Sequence, residues 1–160
     1  MKRISATALM LLASVRFAAA TEPAKPPPYA PGLGEFMTAT QLRHAKLWFA
    51  GKENNWDLAA YEIDEIAEGL ADAEQQFPTH DGIPVADMIK AVIDPAVAEL
   101  RKAVEARSSA KFTAAFDNLT AACNACHAGA SKPFIRIQRP TSPPLSNQDL
   151  STWTRSCATL

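Results

Sequence analysis

The chain has 160 residues, 48% of them hydrophobic and 21% charged, which is one domain's worth of sequence with enough apolar residues to bury a core. Its formal net charge of −1 supplies no basic excess for binding nucleic acid or a charged membrane surface, and three cysteines are too few for a disulfide framework. No stretch approaches the roughly 18 apolar residues of a membrane span.

Residues 1–20 carry Lys2 and Arg3, an apolar run from Ala6 to Val15, and Ala18-Ala19-Ala20, the pattern of a secretory signal peptide with an A-x-A cleavage site. The chain is therefore expected in an exported, periplasm-like compartment. Residues 21–32 hold Pro23, Pro26, Pro27, Pro28 and Pro31 and are expected to form an extended lead-in.

From Leu33 the pattern becomes helical. Leu33, Met37, Gln41, His44 and Trp48 recur at intervals that put them on one helix face, with Gly51 expected to close the helix. Asn54 or Asn55 can cap a second helix whose seam is Ala59, Ile63, Ile66, Leu70, Ala73 and Phe77, ended by Pro78. That helix also carries Asp57, Glu62, Asp64, Glu65, Glu68, Asp72 and Glu74 with no basic residue among them. A solvated outer face accounts for them; the other reading is a docking patch for a basic partner. Thr79 or Asp81 is expected to open a third helix through Val85, Ile89, Val92, Ala96, Leu100 and Ala103, kinked or restarted at Asp94-Pro95, with His80 as a surface residue before it. After Arg107-Ser108-Ser109, a fourth helix carries Phe112, Phe116, Leu119, Cys123 and Cys126 along its seam and stops near Gly129 and Pro133. No segment alternates with the two-residue period of a strand. The expectation is an all-α fold, an antiparallel up-down-up-down four-helix bundle over 33–132. Residues 133–160, with Trp153 and the exposed thiol expected at Cys157, would form an irregular tail that wraps the bundle.

The last helix ends in Cys123-Asn124-Ala125-Cys126-His127. C-x-x-C-H is the attachment signature of c-type haem, in which two thiols add to the porphyrin vinyl groups and the imidazole takes an axial iron position. At about 100° per residue, Cys126 lies about 60° to one side of Cys123 and His127 about 40° to the other, so one helix face presents all three. The competing readings are a structural disulfide, a thioredoxin-type redox pair, or half a zinc site. A thioredoxin pair sits at a helix N-terminus after a strand, and a zinc site needs a second ligand pair; neither is present in this sequence.

Four helices with C-x-x-C-H at the end of the last resemble the class II c-type cytochromes, the cytochrome c′ and cytochrome c-556 group; ordinary small cytochromes c carry the motif near their start. The resemblance covers 33–132 and implies one covalently attached haem c near the end of the last helix, with Cys123 and Cys126 as thioether positions and His127 as proximal ligand. In that family the distal side comes from the first helix, about thirteen residues before its terminal glycine; Met37, fourteen before Gly51, is by similarity the residue facing the iron. The family also places an arginine a few residues after the histidine. This chain has Ala128-Gly129-Ala130-Ser131-Lys132 there, which leaves Lys132, Arg136 and Arg139 as candidates near the propionates. The tail beyond 133 is longer than the family usually has.

The sixth iron position separates two functions. A Met37 thioether would close the iron and suit one-electron transfer with redox partner proteins, favouring the reduced state. An open position would admit nitric oxide or carbon monoxide. His44 shares the face of Met37 about 10 Å along the axis, so only one of the two can reach a given iron. No catalytic triad, paired-carboxylate site or phosphate loop is visible, and Arg43 and His44 diverge by about 100°, too far to serve as a peroxidase pair. The expectation is a periplasmic monohaem electron carrier without enzymatic turnover; pairing of two copies through an exposed helix face is common in the family it resembles.

Overall fold

The computed structural model describes residues 29–152. The expected signal peptide, most of the proline-rich lead-in, Trp153 and Cys157 lie outside them. From Pro31 onward the regular structure is helical: α1 (Leu33–Lys52), α2 (Trp56–Gln76), α3 (Val85–Met88), a π turn at Ile89–Ile93, α4 (Asp94–Glu105) and α5 (Ser109–Gly129). With α3, the π turn and α4 forming one interrupted stretch, this is a bundle of four helical segments. Among the described residues there is no strand, only an isolated bridge between His80 and Ile83.

Local chemistry sets the boundaries. The Glu35 carboxylate accepts from the Gly32 backbone N–H at 2.5 Å at the start of α1. Gly51 does not close that helix as expected. It lies inside it, buried, and a Cβ there would come 2.1 Å from Phe112 Cζ, so the glycine serves close packing of α5 against α1. The left-handed residue after the helix is Asn54 (φ 56°), and Asn55 caps α2 by accepting from the Leu58 N–H at 3.2 Å. Ser108 caps α5 in the same way through the Lys111 N–H.

The third helix starts later than expected, at Val85. Proline disfavours helical backbone in the residue before it, so Pro84 keeps Ile83 extended, while Asp81 (φ 53°) and Gly82 (φ 79°) turn the chain and His80 and Ile83 exchange both backbone hydrogen bonds at 2.9 Å. His80 lies at the surface as expected, its side chain 38% exposed and edge-on to Phe77 at 5.6 Å. The anticipated irregularity at Asp94-Pro95 is the π turn. A proline removes the hydrogen bond to the carbonyl four residues back and crowds it; the wider turn, closed by the Asp94 N–H on the Ile89 carbonyl, absorbs that mismatch and keeps Ile89, Ile93, Val97 and Leu100 in the core.

The seams are buried as anticipated in α2 (Ala59, Ile63, Ile66, Leu70, Ala73) and in the first half of α5 (Phe112, Phe116, Leu119). Phe112 packs against Phe116 and Trp48 and takes Trp56 edge-on, at centroid separations of 5.9–6.3 Å; the fully buried Phe112 and Phe116 each contribute roughly 1.5–3 kcal/mol through apolar burial. In α1 the buried residues all lie in the second half, from His44 to Gly51, and Gln41 is exposed.

The acidic face of α2 is not wholly solvated. Glu62 is completely buried, paired with Lys46 and with Arg43 at 3.4 Å, and Arg43 also reaches Glu65. Arg101 pairs with Asp64 and Lys90 with Glu74, so neighbouring helices neutralise much of what looks unbalanced along α2 alone.

Residues 133–152 are irregular and lie along the bundle. Ile137 is bonded to Asn124; Arg139 grips Asp117 through Nε and Nη2 and sits 4.8 Å over the Trp48 ring; Leu150 is buried, and the carbonyls of Leu150 and Ser151 accept from the Asn55 amide. Arg139, one of the three cationic candidates of the sequence, is thereby paired with Asp117 and stacked over Trp48.

Candidate functional site

Cys123, Cys126 and His127 occupy the last two turns of α5, which continues the helix whose upstream seam is the core. All three are half-buried, and both cysteines pack against the core cluster with free thiols. Burial pushes the Cys123 thiol up to about 11, and Cys126 is raised for the same reason. The negative end of the helix dipole also disfavours a thiolate there. A redox-active C-x-x-C pair needs the opposite, a thiol lowered by a helix N-terminus or a nearby cation. Among the described residues no three His, Cys, Asp or Glu side chains converge as a metal site.

His127 is oriented by the tail. Its Nδ1 lies 3.1 Å from the Ile135 carbonyl oxygen; a carbonyl only accepts, so Nδ1 carries a proton and Nε2 is the nitrogen left to act as a ligand. A histidine that ligates through one nitrogen characteristically has the other held in this way. Ile135 is placed by the turn in which its N–H donates to the Lys132 carbonyl, after Ser131 (φ 59°) has ended the helix. Nothing in the sequence alone marked Ile135 as a partner of the motif.

Met37 is half-buried on α1 and packs against the core. His44 is 4% exposed, with Nε2 2.9 Å from Thr120 Oγ1 and its ring 4.3 Å from Phe116. Arg43 points away to Glu62 and Glu65, so it and His44 do not converge. Met88 also reaches the end of α5: a Cβ on Gly129 would meet its Cε at 2.9 Å. Lys132 is half-buried and Arg136 exposed beyond the motif, flanking Phe134, which is 78% exposed.

The donor set fits a covalently bound haem: two uncrosslinked thiols, which could form thioethers, and an imidazole whose Nδ1 is engaged, which would leave Nε2 for an iron. Met88, half-buried, reaches the end of α5 beside Gly129, and Phe134 is exposed a few residues beyond the motif, apolar surface of the kind a flat macrocycle would cover. No family model matches this chain, and no curated protein or solved structure does either.

Proposed function

We propose that the chain is a periplasmic, monohaem c-type cytochrome that carries single electrons between redox partner proteins. The observation that carries the reading is the state of the C-x-x-C-H side chains: free thiols held neutral at Cys123 and Cys126, beside an imidazole whose Nδ1 proton is engaged by Ile135 so that Nε2 is available. In this reading Cys123 and Cys126 hold haem c through thioethers and His127 is the proximal ligand. The iron supplies a ferric–ferrous couple, and the half-buried setting at the end of α5 keeps the reacting centre near the surface, where a partner can approach.

An antiparallel bundle with Met37 over the iron is the finer form of the proposal. Its support is a register between α1 and α5. His44 meets Thr120, and Trp48 meets Phe116 at 4.9 Å, so four residues forward on α1 match four backward on α5. The same step taken the other way brings Met37, seven before His44, level with His127, seven beyond Thr120; seven residues is close to two turns and returns each to the facing side. His44 is a poorer sixth ligand because its Nε2 is taken by Thr120.

Carbon monoxide tests the ligand. The ferrous wild-type protein is expected to resist it, and Met37→Ala to bind it. Ready binding by the wild type would remove Met37 and turn the reading to the five-coordinate, gas-binding alternative.

A further inference from the structure

Asn124, the residue next to Cys123 inside the motif, makes a two-point clamp on the tail. Its Oδ1 accepts from the Ile137 N–H at 2.7 Å and its Nδ2 donates to the Ile137 carbonyl at 2.8 Å. Both bonds go to one residue, so the amide holds Ile137 as a neighbouring strand would. Two residues earlier in the tail is Ile135, the carbonyl acceptor of His127 Nδ1. Two residues later is Arg139, locked to Asp117 and stacked over Trp48. Asn124 and Asp117 are two turns apart on α5, so the extended segment 135–139 lies along the helix and is fastened at two levels. Ile135 is itself 38% exposed and Phe134 78% exposed. The Ile135 carbonyl is thus held against His127 by hydrogen bonds on either side of it, the Lys132 turn and the Asn124 clamp, and little by apolar burial.

We propose that Asn124 is a positioning residue for the haem-ligating imidazole, acting through the tail: by fixing Ile137 it keeps the Ile135 carbonyl on His127 Nδ1 and so sets the tautomer and donor strength of Nε2. The inference rests on the haem reading for its consequence at the iron, but the clamp acts on the imidazole whether or not haem is attached. A peptide carbonyl drawing on Nδ1–H makes the ring a stronger donor and favours the ferric state. A tail free to swing would leave Nδ1 to water and let the imidazole choose its proton position.

Two readouts on the full chain test this, made with and without haem attachment. In the haem-free chain, nitrogen-15 spectra of His127 are expected to report the Nδ1–H form; Asn124→Ala, harmless to an α-helix, and Ile137→Pro, which deletes the tail's donor, should each shift the ring toward the Nε2–H form. Asn124→Asp retains the acceptor for the Ile137 N–H and should keep most of the wild-type signal. In the haem-loaded chain, Asn124→Ala should raise the midpoint potential, with Asn124→Asp closer to wild type. An unchanged His127 tautomer in both Asn124→Ala and Ile137→Pro would overturn the proposal, as would an unchanged potential in a loaded Asn124→Ala protein. A chain that never takes haem would instead sink the cytochrome reading, and the tautomer measurement would still decide the clamp.

Discussion

His44 donates through Nε2 to Thr120 Oγ1 at 2.9 Å, and the Thr120 hydroxyl in turn donates to the Phe116 carbonyl at 2.9 Å. With its proton on that carbonyl, the hydroxyl can only accept from the ring, so the pair works with a neutral imidazole. Burial pushes the pKa of His44 down to about 4. Because the unfolded chain titrates near the ordinary value of about 6.5, it binds more protons than the fold between those limits. The contribution of neutral His44 is thus complete above pH 6.5 and is lost as the pH falls toward 4, by on the order of 3 kcal/mol. Denaturant titrations across that range should show stability falling with acid, with a flatter profile in His44→Gln. Equal slopes in the two proteins would mean that His44 protonates freely in the fold.

Gly51 and Phe112 set the closest approach of α1 and α5. A methyl group at position 51 would meet the Phe112 ring at 2.1–2.6 Å, and the ring is almost fully buried with no room to retreat. Gly51→Ala should destabilise by roughly 1–3 kcal/mol despite the better helix propensity of alanine. Adding Phe112→Leu should recover part of the loss, which a double-mutant cycle in denaturant would measure.

Glu62 is a buried carboxylate between two cations from α1. Glu62→Leu leaves Lys46, itself 8% exposed, without its partner and should destabilise by about 3–5 kcal/mol. Lys46→Met with Glu62→Leu removes both buried charges, and its stability should lie within about 2 kcal/mol of wild type. A Glu62→Leu protein as stable as wild type would show that the pair is dispensable.

The helical seams were legible because apolar residues at three- and four-residue spacing can bury in one way, as Ile63, Ile66 and Leu70 do. What one strip of sequence hides is the neighbour. Glu62 belongs to an acidic series on α2, and its burial depends on Arg43 and Lys46 from another helix. Gly51 has the appearance of a helix terminator because glycine often is one; its role comes from a phenylalanine 61 positions later. Pro84 is the local signal for the late start of α3; Thr79 and Asp81 are cap-type residues, but they lie in the turn before it, with Asp81 at φ 53°. At the candidate site, Cys123, Cys126 and His127 are legible because C-x-x-C-H is a contiguous motif. The tail contacts were not announced, since Asn55, Asp117 and Asn124 are single polar residues with no period to connect them to positions 135–152.

The most direct measurement is the intact mass of the mature chain produced in a host that attaches haem c. A mass increased by one haem that survives denaturation, and that is lost in Cys123→Ala/Cys126→Ala, is the predicted result. A mature chain of unmodified mass from such a host would contradict the account.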